Sequence, residues 1–288
     1  MTNSGNSDTY IETCSACGGR RAPERVDVRR VLDRLDALLA AKDYDGAAAH
    51  LLYWLRETES VGDRAAELTV LNELMGFYRK QGDRAQATKY ADYALDRFGV
   101  DNEFNDTVFF ATTCLNAATV CKAFGEAERA LELYRRCLEL YSRRLEPDDL
   151  RFAGLYNNMG LALAETGLLQ EAYEAFLKAI QIQEPAGAST APDRAITCLN
   201  ICDLFDAGFI PPNADPDDVP ELTEKYIERA YALLADDSVE KDAYYAFVCE
   251  KCAPVFGYYG YFLYKNKLIS EAEKINVKYA RREHADNT

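Results

Sequence analysis

The sequence predicts an all-α protein, a right-handed α-solenoid of about six helix pairs, and three observations carry that prediction. A small residue opens an apolar stripe at Ala47, Ala87, Ala130 and Ala172, at spacings of 40, 43 and 42 residues. Gly82, Gly125 and Gly167 stand five residues before the last three of these anchors, where a helix would end in a left-handed residue. A second apolar stripe, spaced i, i+3, i+4, i+7, comes before each turn, the mark of a helix that buries one face.

Each unit therefore reads as helix, tight turn, helix. The first has Val31, Arg34, Leu35 and Leu38, then Lys42-Asp43 in place of the glycine, then Ala47, Leu51 and Trp54. The second has Leu71, Leu74, Met75 and Tyr78, the turn Gln81-Gly82-Asp83, then Ala87, Ala91 and Ala94. The third runs Cys114, Ala117, Ala118, Cys121, then Ala130, Tyr134, Cys137. The fourth runs Tyr156, Met159, Gly160, Leu163, then Ala172, Phe176, Ala179, and its central small residue would let a neighbouring helix approach closely.

Two further copies are degenerate. Cys198, Ile201, Cys202 and Phe205 repeat the first-helix stripe, but a run from Gly208 to Pro220 with four prolines replaces the turn and cannot be helical throughout. The second helix is expected to resume near Glu221 and to carry Tyr226, Ile227, Ala230 and Leu233. The sixth copy is expected to use Phe256, Tyr259, Gly260 and Leu263, followed by Ala272, Ile275 and Tyr279. The array should span residues 25–282, between aperiodic segments 1–24 and 283–288 expected to be mobile tails.

Tyr156-x2-Met159-Gly160-x2-Leu163 followed by Ala172-x3-Phe176-x2-Ala179 resembles the tetratricopeptide repeat signature. Repeats of about 42 residues are longer than the usual ~34, and with the pair Asn157-Asn158 they resemble those of kinesin light chains and related peptide-binding arrays. The resemblance implies a curved stack whose first helices line a groove for a protein or an extended peptide.

The chain of 288 residues carries 33 basic and 48 acidic side chains, a net charge of −15. That excess argues against nucleic acid and against anionic membrane surfaces, and it favours a basic partner. Only two histidines are present, His50 and His284, so a histidine metal centre or general base is not expected. Met1 to Asp8 lack the basic and apolar regions of a secretory signal, and no apolar run reaches the length of a membrane span. With nine cysteines, a reducing, cytoplasmic location is expected. No phosphate loop, nucleophile elbow or zinc-protease helix occurs, so the chain is expected to be non-enzymatic and to use no cofactor.

Cys114, Cys121, Cys137, Cys198 and Cys202 fall at stripe positions and read as packing residues. Cys14-x2-Cys17 resembles half of a zinc knuckle, but the second pair, Cys249-x2-Cys252, belongs to a distant helix, and no metal is assigned. Tyr258 and Tyr261, in an aromatic-rich segment, read either as capping core or as a pocket at one end of the groove.

Asn116, Asn158 and Asn200 recur at intervals of 42 and form a candidate ladder, with Asn157 beside it and Asn72 near the matching place of the second repeat. A carboxamide both donates and accepts, so it can pair with a peptide backbone without reading its side chains. Helices about 8–10 Å apart would offer one asparagine to roughly every third residue of an extended peptide. The competing reading is that these amides bond neighbouring helices. The function expected is a protein- or peptide-binding scaffold; the alternative is a peptide-responsive regulator acting on a separate effector.

Overall fold

A computed structural model describes residues 25–100 and 103–286, with side chains as far as 279. Among the described residues all regular structure is helical: α1 (Val28–Ala40), α2 (Tyr44–Val61), α3 (Arg64–Lys80), α4 (Arg84–Phe98), α5 (Val108–Ala123), α6 (Ala127–Arg144), α7 (Leu150–Glu165), α8 (Leu169–Gln183), α9 (Ala191–Asp206), α10 (Val219–Ala235), α11 (Ala243–Tyr258) and α12 (Phe262–Asp286), with short 3₁₀ segments before α9 and α10. None of these helices is long and apolar enough to cross a membrane. Residues up to Leu74 belong to one compact unit and residues from Met75 to a second.

One hydrogen bond recurs at every within-pair turn. An amide donates to the carbonyl five residues back: Asp43 to Leu38, Asp83 to Tyr78, Glu126 to Cys121, Leu168 to Leu163, Phe209 to Leu204 and Tyr261 to Phe256, all within 2.8–3.0 Å. This closure requires a left-handed residue between the helices. Gly82, Gly125, Gly167, Gly208 and Gly260 supply it with φ of 73–89°, and Lys42 supplies it at φ 56°. Asp43 and Asp83 then cap the following helices by accepting from the amides of Gly46 and Gln86.

In the first unit, α1 packs on α2. Val31, Leu35 and Leu38 are buried against Ala47, Leu51 and Leu55, while Arg34 turns to solvent and Trp54 is half-buried. His50 bonds the Val31 carbonyl through Nε2 at 2.9 Å, which ties it to the α1–α2 packing.

In the second unit α5 pairs with α6, α7 with α8, α9 with α10 and α11 with α12. The first helices α5, α7, α9 and α11 also touch in sequence and form one layer. The anchors Ala87, Ala130 and Ala172 are fully buried, as are Tyr134, Phe176 and the cysteines at stripe positions. Gly160 explains the small central residue: a Cβ there would stand 2.5 Å from the Phe176 ring.

The last two pairs depart from the expected register. α10 begins at Val219 with Pro220 in its first turn, where a missing N–H costs nothing, and it buries Ile227, Ala230 and Leu234, with Leu233 only half-buried. Gly260 is the glycine of the sixth turn and lies outside any stripe. The buried stripe of α11 is Cys249, Cys252, Ala253 and Phe256; Tyr259 is half-buried in the turn and Leu263 is 83% exposed. α12 runs to Asp286, past residue 282.

Candidate peptide-binding face

Each first helix of the second unit is covered by its own partner and by neighbouring first helices, which leaves one open stripe along it. In α5 it holds Asn116, flanked by Thr112 and Thr119, whose hydroxyls bond Tyr141 and Tyr134 of α6 at 3.2 and 3.4 Å; in α7 it runs Gly154, Asn158, Leu161, Glu165. In α9 it runs Ile196, Asn200, Asp203, Asp206, and in α11 Tyr244, Phe247, Lys251, Pro254, Tyr258. The spacings of three and four residues are those of one helix face.

The asparagines divide by their place on the helices. Asn116 and Asn158 stand nine residues before their turn glycines and are half-buried on the open stripes. Asn200 is on the open stripe of α9 but donates Nδ2 to Asn157 Oδ1 of α7 at 3.0 Å; Thr197 donates to the same oxygen at 3.1 Å. Asn157 and Asn200 thus join neighbouring first helices. Asn72, in the other unit, donates to the Leu68 carbonyl of its own helix at 2.9 Å.

Tyr258 is 68% exposed on α11 and donates to Asp206 of α9 at 2.9 Å. Tyr261 does not share its face. It lies in the α11–α12 turn, stacked on Tyr264 with centroids 5.4 Å apart, and lines a cleft toward α10. The reason is the register of the sixth pair: with Gly260 as the turn residue, Tyr258 closes one helix and Tyr261 leads into the next. Tyr244 and Phe247, 46% and 50% exposed, complete the aromatic row. Sequence reasoning did not assign them to the site. The period Tyr244, Phe247, Lys251, Pro254, Tyr258 would have found them once Gly260 was placed in the turn.

The α9–α11 end of this face is acidic. Tyr244 donates to Asp193 and Tyr258 to Asp206, each joining α11 to α9. Partial loss of water around it, and then the neighbouring Asp206, raise the Asp203 carboxyl above its ordinary range. Lys251 lies over the Phe247 ring at 5.6 Å, and Glu165 is paired with Lys122 at 2.9 Å. Cys249 and Cys252 are buried, and burial pushes their thiols up to about 11 and about 12. No group of potential metal-ligating side chains occurs among the described residues. Cys14 and Cys17 lie outside them.

Residues 109–184, which run from α5 to the end of α8, match the tetratricopeptide repeat family. Among curated proteins none matches the chain by sequence. Several solved structures share the fold. Kinesin light chain TPR-like repeats of Podosopora anserina are 17% identical, with 75% of this chain and 98% of that one covered at a TM-score of 0.52. BtubC (BKLC) of P. vanneervenii is 15% identical over 89% of this chain and 93% of its own, TM-score 0.55. Apo RapI is 15% identical over 89% of this chain and all of its own, TM-score 0.52. Residues 109–184 thus carry tetratricopeptide repeat sequence, and the chain as a whole shares the fold of these helical-repeat structures.

Proposed function

We propose that the chain is a non-enzymatic protein- or peptide-binding scaffold whose ligand lies across the open stripes of α5, α7, α9 and α11. The observation that carries this reading is the row Tyr244, Phe247 and Tyr258, three large aromatic side chains left 46–68% exposed on the first helix at one end of the layer. Aromatic side chains supply large contact area at low rotamer cost, so an exposed row of them favours a recognition surface. The carboxamides of Asn116 and Asn158 suit a peptide backbone. Asp193, Asp203 and Asp206 beside the aromatic row, with the net charge of −15, favour a basic ligand.

Selection of displayed random dodecapeptides on the immobilised full chain tests the reading. Enriched peptides should be basic and should lose about tenfold in affinity when Phe247 and Tyr258 are both replaced by alanine, with little change in melting temperature. Peptides that bind the double variant as tightly as the parent would refute the assignment of this face.

A further inference from the structure

A cleft of about 460 Å³ opens beside this face at the C-terminal end of α9. Its walls include Phe205 and Asp206 of α9, Glu224 and Ile227 of α10, and Tyr259 and Tyr261 of the α11–α12 turn. Two carboxylates and three aromatic rings therefore border one concavity, and no lysine or arginine lines it. The two cations of α10 are engaged elsewhere, Lys225 with Glu221 and Arg229 with Glu184, each at 2.7 Å. Asp206 accepts from Tyr258 at 2.9 Å, which fixes its carboxylate at the junction of the cleft and the open stripe.

The cleft carries a negative field that no cation lining it balances. The Tyr261 hydroxyl is raised by burial and then by Glu224 and Glu228. Tyr259 is raised by burial and then by Asp203. A neutral or anionic guest would leave these charges facing one another. A compact organic cation would neutralise them and rest against the ring faces, which attract positive charge.

We propose that this cleft receives one arginine or lysine side chain of the bound partner, its charge answered by Asp206 and Glu224 and its stem packed on Phe205, Tyr259 and Tyr261. The assignment of the guest to a peptide rests on the reading of the α5–α11 face; the preference for a cation rests on the cleft alone. An arginine fits both elements, because its planar guanidinium stacks on a ring while donating to carboxylates. The aliphatic stem covers apolar wall.

The probe is N-acetyl-arginine amide, compared with its neutral isostere N-acetyl-citrulline amide, titrated into the full chain while the ring resonances of Tyr259 and Tyr261 are followed. The arginine compound should shift them saturably, and the effect should weaken as salt rises. The citrulline compound should leave them in place. In the Asp206→Asn, Glu224→Gln double variant the arginine affinity should fall about tenfold. Equal shifts from citrulline, or an unchanged affinity in the double variant, would overturn the proposal. The outcome is separable from that of the peptide selection: selected peptides sensitive to Phe247 and Tyr258, with no arginine response, would remove the cation cleft alone. An arginine response without any selected peptide would keep the cleft and remove the peptide reading of the face.

Discussion

Gly160 of α7 lies so close to Phe176 of α8 that a methyl group on its Cα would stand 2.5 Å from the ring. Phe176 is fully buried and has no room to swing aside. Gly160→Ala should therefore cost about 1–3 kcal/mol through overpacking, more than the ~1 kcal/mol that alanine gains over glycine in a helix. Gly154, on the exposed side of the same helix, has nothing within 4 Å, so Gly154→Ala should stabilise by up to about 1 kcal/mol. Urea unfolding of the two variants reads both signs, and a Gly160→Ala protein as stable as the parent would dismiss close helix approach as the reason for this glycine.

Lys42 occupies the left-handed position that glycine holds in the other five turns. A side chain there is strained by roughly 1 kcal/mol. Lys42→Gly is expected to raise the melting temperature, and Gly167→Ala, at φ 79°, to lower it. No change in either variant would mean that the turns do not demand this backbone conformation.

The seven described cysteines are all buried. Burial lifts Cys114 and Cys198 to about 11 and Cys137 and Cys202 to about 12, from an ordinary 9.0. Because the folded thiols hold their protons more tightly than the unfolded ones, their contribution is fully present below pH ~9 and is lost as pH rises toward 11–12. A chain carrying Cys14→Ser and Cys17→Ser should resist thiol labelling at pH 8 until denatured, and its urea midpoint should be lower at pH 10 than at pH 7.5. Rapid labelling of the native form, or a midpoint that rises with pH, would contradict the burial.

The asparagines should separate into two kinds. Asn200→Ala removes the bond to Asn157 between α7 and α9 and should cost about 1 kcal/mol. Asn158→Ala should leave stability nearly unchanged and weaken a selected peptide. The reverse pattern in thermal unfolding and peptide affinity would exchange their roles.

The regular repeats were legible because their packing is periodic. Glycine in the turn, alanine at the anchor and the first-helix stripe all follow from the same two-helix hairpin, and residues 109–184 carry that pattern most cleanly. The sixth pair was misregistered because Gly260 could be read either as a small stripe residue or as the turn residue. Only the Tyr261-to-Phe256 closure decides between them. Tyr261 was lost from the open face for the same reason, and Tyr244 and Phe247 were gained. The Asn157–Asn200 bond was hidden because it depends on how far one helix is rotated against the next, which no spacing within either helix encodes.

The open stripe has an evolutionary consequence. On the proposed reading, folding of the second unit draws on residues buried between helices, whereas recognition would draw on the few half-buried or exposed positions along each first helix. The two sets do not overlap at Gly154, Asn158 and Leu161 of α7, nor at Phe247 and Lys251 of α11. A lineage could then rewrite what such an array recognises one helix at a time without passing through an unfolded intermediate sequence. Asn200, Tyr258 and Glu165 are exceptions: each lies on the stripe and also joins two helices, so specificity there would be the slowest to drift.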